Sequence, residues 1–585
     1  MRDFEPATNG GVRVFSGALH YFRVHPDQWE HRIAMSVALG LDTIETYVPW
    51  NLHQPRPGIT TFDGRADLAR FLDLAHAAGL GVIVRPGPYI CAEWDNGGIP
   101  SWVSAIPQIT LRSRDTRWLQ HVDEWFDVLV PLIAERQGSR GGPVHMVQVE
   151  NEYGSYGSDA GYLAHLRDGL LRRGIDVPLF TSDGPTQVML TGGSVPGVPV
   201  TVNFGSDPDR AFTAQRAFRP EDPLFCMELW IGWFDHWGST HTVRDAADVA
   251  DLARRTLDAG ASLNLYMAHG GTNFGTGAGA NRSGPLHDGE YQPTTTSYDY
   301  AAPIDECGAA TATYWALRDV FAERRGIILP DPPPPNNPAV AGPVRMHAHS
   351  SLDSAYRPLG RWPVPPTFEQ LGVDHGLVRY RARVPGPRAE AALRIDDVRD
   401  RAHLVVDGRL VAVLESGDHI VPLEVMGSGV DIEVIVESMG RVNYGPRLGE
   451  HKGLVGGVRH ERQIVHGWDV DAIELAALPS IQGLGVGTGS TPVTEGLPVR
   501  SEGIVDVSIV GDAVLDVGGL SKGYVWINGE LLGRYWDIGP TRGLYVPAPV
   551  LRRGRNDVTV VDVNGVILDE LSFTETMGML FEAAR

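Results

Sequence analysis

Cysteine is scarce: 585 residues hold three, Cys91, Cys226 and Cys307. An odd and sparse set excludes a disulfide framework, and no C-x-x-C pair is present to seed a metal site, so a reducing compartment is expected. Long apolar runs are lacking too. Nowhere do about 18 apolar residues follow one another, which argues against an apolar membrane-spanning helix. The opening M-R-D-F-E-P-A-T-N-G-G has no apolar stretch of signal-peptide type, and the expected location is cytoplasmic. Basic charge is short as well. With 50 Lys and Arg against 72 Asp and Glu, the net charge is −22, which argues against nucleic acid or an anionic membrane surface as partner and leaves a homo-oligomer open. No G-x-G-x-x-G follows the first strand-like run. The Gly-rich stretch at Gly483, G-L-G-V-G-T-G, has neither that spacing nor a P-loop lysine, so neither cofactor nor metal is expected.

What is present is ordinary globular composition, 43% apolar and 21% charged, on a chain too long for one core. Eight strand-like runs alternate with helical patterns: 13–20, 43–50, 81–90, 144–150, 178–182, 198–204, 223–229 and 261–268. Between them Leu68, Phe71, Leu72 and Ala75 share one helical face, as do Trp118, Val122, Trp125, Phe126 and Leu129. That alternation predicts a catalytic (β/α)₈ TIM barrel over residues 1–328, with reactive groups at the C-terminal ends of its strands. A stiff Pro-rich linker, L-P-D-P-P-P-P-N-N-P-A-V-A-G-P, spans 329–343. Beyond it helices vanish and short strands meet at turns such as Asp407-Gly408 and Asn528-Gly529. A diverged repeat, A-H-L-V-V-D-G-R-L-V-A-V-L against G-Y-V-W-I-N-G-E-L-L-G-R-Y, predicts two β-sandwich domains of jelly-roll type, at 344–470 and 471–585.

One strand-like run, V-H-M-V-Q-V, ends in Glu150, Asn151 and Glu152. Carboxylates seldom sit against apolar surroundings unless paired, so this ending calls for chemistry or for a partner. The run P-L-F-C-M-E-L-W carries Glu228, 76 residues beyond Glu152, the distance three βα units occupy. Two carboxylates at one barrel rim suit glycoside hydrolysis, in which one protonates the leaving oxygen and the other attacks the sugar or activates water. The stretch R-P-G-P-Y-I-C-A-E-W adds Glu93, and T-Y-V-P-W-N-L-H-Q-P adds Tyr47 and Trp50.

Those stretches, with S-G-A-L-H-Y-F-R-V, G-G-P-V-H-M-V-Q-V-E-N-E-Y-G, S-Y-D-Y and G-R-Y-W-D-I-G-P-T-R-G-L-Y-V-P, resemble glycoside hydrolase family 35, the β-galactosidases, and occur in that family's order along nearly the whole chain. The resemblance implies a retaining exo-β-galactosidase acting on terminal β-galactosides, with Glu152 as acid/base, Glu228 as nucleophile, and a last domain like galactose-binding modules. It assigns galactose contacts to Tyr47, Glu93, Asn151 and Tyr300, with Ala92 and Trp233 beside them. The family usually has Glu where Gln54 stands and Asp where Ala301 stands. Trp230, Trp233 and Tyr444 are expected to form an aromatic subsite for the second sugar.

Each assignment has a plainer rival. Glu152 could be a solvated strand-end carboxylate, and Glu228 the partner of a nearby arginine. Glu93 could orient neighbours without touching sugar, and Tyr47, Tyr300 and Trp233 could be rim or core aromatics. His236 and His269 read as core histidines. Strand alternation would set Glu150 and Glu152 on one face and Asn151 on the other, whereas the resemblance sends Asn151 and Glu152 together into the pocket; a strand end or bulge there, with Glu150 as support, reconciles the two. The same scaffold could act on another sugar, as a β-glucosaminidase for example, or bind carbohydrate without cleaving it.

Overall fold

The structure, a computed structural model, describes residues 13–480, 493–574 and 577; the Gly-rich stretch at Gly483 lies outside them. Eight parallel strands close into a barrel in chain order: β1 (Phe15–Leu19), β2 (Thr43–Tyr47), β3 (Gly81–Arg85), β4 (Val144–Gln148), β5 (Leu179–Asp183), β6 (Val200–Phe204), β7 (Phe225–Trp230) and β8 (Ser262–His269). Their residues are almost all buried, as expected of strands that pack helices on one side and the barrel's own filling on the other. The helix Thr116–Ala134 begins where Asp115 accepts from the Arg117 amide, and it buries Trp118, Val122, Trp125, Phe126 and Leu129 as its spacing predicts. In the same way Leu68–Ala77 buries Leu68, Phe71, Leu72 and Ala75.

Six of the eight strands are shorter than the apolar runs that announced them. The run at 144–150 ends as a strand at Gln148, because Glu150 (φ 60°) and Glu152 (φ 46°) adopt the left-handed conformation. The run at 81–90 ends at Arg85, ahead of three successive left-handed residues, Cys91, Ala92 and Glu93. Apolar character continues past both strand ends because the loops that follow are themselves buried.

Beyond the barrel the chain is all β, but its strands are shared differently from the expected boundaries. Val344–Ser351 does not open the first sandwich: it pairs with Val499–Ile509 and Glu570–Thr574 in the nine-stranded sheet of the last domain. Val340–Ala341, inside the Pro-rich stretch, joins the same sheet through Val507 and Ile509. Trp468–Glu474 runs across residue 470 and pairs with Gly376–Pro385 in the first sandwich, whose six- and four-stranded sheets enclose a core around Tyr380, Leu404, Val434 and Trp468. Position along the chain suggested the boundaries; ladder pairing decides membership. At both predicted hairpins the Asp407-Gly408 and Asn528-Gly529 pairs have positive φ at both residues, as a two-residue turn of right-twisted strands requires.

The first sandwich docks on the barrel mouth through residues 439–444. Buried Arg441 reaches Asp95 of the barrel (amide to Oδ1 2.6 Å) as well as Glu369 (2.9 Å) and Asp374 (3.3 Å) of its own domain. Asn443 donates its amide to Ala280 O (2.9 Å), and its carbonyl accepts from Tyr89 OH (2.7 Å). This clamp carries Tyr444 to the rim. No helix among the described residues is long and apolar enough to cross a membrane.

Candidate active site

Ten of the residues singled out from the sequence line one cavity of about 220 Å³ at the C-terminal end of the barrel: Tyr47, Ala92, Glu93, Asn151, Glu152, Glu228, Trp230, Trp233, Tyr300 and Tyr444. Buried Glu93, Asn151 and Glu228 are set among aromatic side chains, while Trp233, 44% exposed, stands at the opening.

Glu228 projects from β7 into a set of donors. Arg85 at the end of β3 places Nη1 2.7 Å from Oε1, Tyr47 OH lies 2.7 Å from the same oxygen, and the Trp230 indole N–H donates to Oε2 at 3.0 Å. Arg85 also donates to Asn151 Oδ1 (2.7 Å) and to Gln148, with its guanidinium 4.0 Å from the centre of the Tyr47 ring. The plainer reading of Glu228 as the partner of an arginine is thus geometrically right, yet Glu228 also lines the cavity, with Arg85 buried behind it.

Glu152 has a different environment. Its side chain accepts one amide, from Asn203 Nδ2 at 2.9 Å, and Asn203 is itself held by the Ser182 hydroxyl at 2.6 Å. Burial, reinforced by the charge on Glu228, pushes its carboxyl up to about 7. The turn that aims it resolves the alternation conflict. Left-handed Glu150 swings its carboxylate outward onto Arg112, which binds it in bidentate fashion at 2.7 and 2.8 Å and also donates to Asn151 O. Left-handed Glu152 then follows Asn151 into the pocket, with its amide on Ser182 O.

The run Cys91, Ala92, Glu93, at φ 55°, 52° and 49°, costs on the order of 1–3 kcal/mol per residue and persists only where its surroundings impose it. Here Arg23 donates to Ala92 O while lying 3.7 Å from the centre of the Tyr298 ring; Tyr298 OH donates to Glu93, and the Gly279 amide to Glu93 O. Burial raises the Glu93 carboxyl to about 7 as well. Tyr300 and Ala301 are left-handed also; the Ala301 amide donates to Asp299 Oδ2.

Around the rim Trp230 and Trp233 meet edge to face at 5.6 Å, as do Tyr444 and His287 at 4.9 Å. Trp50 is not among them. It is fully buried, lies parallel to Trp125 at 6.0 Å, and donates to Gln54 Oε1, so the second strand contributes Tyr47 alone to the cavity. His269 is a core residue, its Nδ1 3.2 Å from Ile304 O, and burial lowers its pKa to about 3. His236 lies beside Asn281 at 3.2 Å.

Among the residues missed are Arg85, Asn203 and Tyr298, described above, and Tyr266, which also lines the cavity. Arg85 closes G-V-I-V-R and Asn203 interrupts V-T-V-N-F, so a polar residue at the end of an apolar run would have flagged them as it did Glu150 to Glu152. Tyr266 carries no such mark, since an aromatic within the run L-N-L-Y-M-A looks like core; Tyr298 lies in the quoted S-Y-D-Y, from which Tyr300 alone was taken.

Residues 8–324 match glycosyl hydrolases family 35; residues 365–474 match the first all-beta domain of beta-galactosidase, and residues 502–556 its galactose-binding domain. Among curated proteins, the beta-galactosidase-1-like protein of Mus musculus is 39% identical over 95% of this chain and 87% of its own. The beta-galactosidase of Xanthomonas manihotis is 39% identical over 93% and 90%, and that of Mus musculus 38% over 96% and 90%.

Proposed function

The chain belongs to glycosyl hydrolases family 35, and from that premise we propose that it is a retaining exo-β-galactosidase with Glu228 as nucleophile and Glu152 as acid/base. The observation that carries the assignment is the contrast between the two carboxyls in one cavity. Glu228 is surrounded by Arg85, Tyr47 and Trp230, which suit a carboxylate; Glu152, with one amide donor and a carboxyl raised to about 7, suits an acid protonated near neutrality. In this reading Glu228 attacks the anomeric carbon while Glu152 gives its proton to the leaving oxygen. Esterification removes the charge that raised Glu152, which then takes a proton from the incoming water. Asn151, Glu93 and Tyr300 are the galactose contacts, and the relatives' names support galactose as the sugar. A cavity of about 220 Å³ suits one terminal ring. Three unpaired thiols, Cys91, Cys226 and Cys307, accord with a cytoplasmic location.

The test is a panel of nitrophenyl β-glycosides with the product anomer followed by NMR. Cleavage of the β-galactoside in preference to the β-glucoside and β-glucosaminide, with β-galactose formed first, is expected. An α-product, or preference for the glucosaminide, overturns the reading. With dinitrophenyl β-galactoside and azide, Glu152→Ala should yield the β-azide and Glu228→Gly the α-azide.

A further inference from the structure

Below Glu228, inside the barrel, lies a carboxylate with no part in the reaction described above. Glu45 stands on β2 between Ala18 of β1 and Ile83 of β3 and is fully buried. Arg85 of β3 faces it with Nη1 3.8 Å from Oε1, Asn264 of β8 offers an amide 3.4 Å from Oε2, and the ionisable groups Glu228 of β7 and Tyr47 of its own strand complete its electrostatic surroundings. Oε1 has no hydrogen-bond partner, and Arg85 Nη1, ion-paired with Glu228, makes no aligned hydrogen bond to either carboxylate. One guanidinium therefore lies between two carboxyls and is close to only one.

Resting on the assignment of Glu228 as nucleophile, we propose that Glu45 is a positioning residue acting through Arg85: it stays protonated while Glu228 is ionised and releases its proton when Glu228 is esterified, becoming the counter-ion of the buried guanidinium. Burial pushes the Glu45 carboxyl up to about 7; Arg85 pulls it down and the Glu228 charge pushes it up again. Forming the C1–O bond to Glu228 breaks the bond from C1 to the leaving group, which departs with the electron pair, and the Glu228 charge is consumed. The other side-chain partners that hydrogen-bond Arg85, Asn151 and Gln148, are neutral, so the buried cation would be left without a carboxylate in contact with it unless Glu45 ionises. The repulsion that kept Glu45 protonated vanishes in the same step. The negative charge that Glu228 loses goes to the departing group, or to Glu152 where that residue protonates it; Glu45 gains its own charge by giving a proton to solvent, and hydrolysis of the ester reverses both.

The test traps the intermediate with 2-deoxy-2-fluoro-β-galactosyl fluoride and counts protons with an indicator dye in weakly buffered solution. Fluoride leaves as the anion, so released protons come from protein carboxyls. Glu45→Gln keeps the side chain's shape but cannot ionise, while Glu152 and Glu93 contribute in both proteins. At pH ~6 the unmodified enzyme should release between about half a proton and one proton more per labelled site than Glu45→Gln, a shift that a merely structural role would not produce. Equal release at equal labelling overturns the proposal. If Glu45→Gln fails to fold, Glu45→Leu replaces it under the same criterion. Where the galactosyl label fails and a glucosyl one reacts, the sugar assignment falls and the count proceeds with that label. If no label esterifies Glu228, the nucleophile assignment falls and takes this proposal with it.

Discussion

Asn203 decides how long Glu152 keeps its proton. Its amide stabilises the ionised carboxylate at 2.9 Å, opposing burial and the Glu228 charge, which raise the carboxyl to about 7. An acid with a raised pKa is active below that pKa and lost above it, so kcat/KM on a poor leaving group should fall as the pH rises through about 7. Asn203→Ala removes the stabilising donor, and the alkaline limb should move up by roughly half a unit to one unit; a limb that stays put or moves down shows that Asn203 does not tune the acid. Trp230 and Tyr444 were expected to act together on the second sugar; both line the cavity, but their other contacts differ. The Trp230 indole binds Glu228, whereas Tyr444 reaches the rim from the first sandwich. Trp230→Phe should therefore slow nitrophenyl galactoside and disaccharide alike, by about tenfold for one lost donor. Tyr444→Ala should spare the nitrophenyl substrate and raise KM for the disaccharide. Steady-state kinetics on both substrates separates the two outcomes.

At the scale of an element, the site depends on how β4 stops. A strand continuing through Glu150 would turn Asn151 away from the cavity; the left-handed step at Glu150, with its carboxylate taken by Arg112 and Tyr162 OH, prevents that. Arg112 and Glu150 are both buried, so neither can be lost alone without leaving the other uncompensated. Glu150→Ala should cost about 3–5 kcal/mol of stability, the usual range for breaking a buried pair on one side, visible as a lowered urea midpoint. It should also lower kcat on dinitrophenyl galactoside, which needs no acid, because Asn151 moves with the turn. A variant with unchanged stability would show that the turn holds itself without the ion pair.

At the scale of the whole molecule, the last sandwich is not a continuous piece of chain. Its nine-stranded sheet includes Val344–Ser351, which lies between Val499–Ile509 and Glu570–Thr574, and Val340–Ala341 at the side. A fragment of residues 471–585 lacks those strands and should show no cooperative thermal transition by circular dichroism, while the same fragment with residues 338–352 fused ahead of it should regain one. Cooperative unfolding of the bare fragment would mean the inserted strands are dispensable. The first sandwich makes the barrel mouth its partner through Arg441, buried among Asp95, Glu369 and Asp374, so the pocket's Tyr444 wall belongs to the assembled molecule.

The barrel, the two carboxylates and the hairpin turns were legible in the sequence because each depends on local pattern: strand-helix alternation, a carboxylate at the end of an apolar run, and residue pairs that accept positive φ. Trp50 was misplaced because an aromatic beside a rim residue looks the same in sequence whether it faces sugar or, as here, the ring of Trp125. The boundaries at 344 and 470 were misplaced for a related reason: which sheet a strand joins depends on hydrogen bonds to residues distant in the chain, as Val344–Ser351 bonds to Val499–Ile509 and Trp468–Glu474 to Gly376–Pro385. Tertiary structure alone decided the charge relations within the site. Arg85, Asn203 and Glu45 come from three different strands, and only closure of the barrel brings one guanidinium between two carboxyls and one amide onto a third.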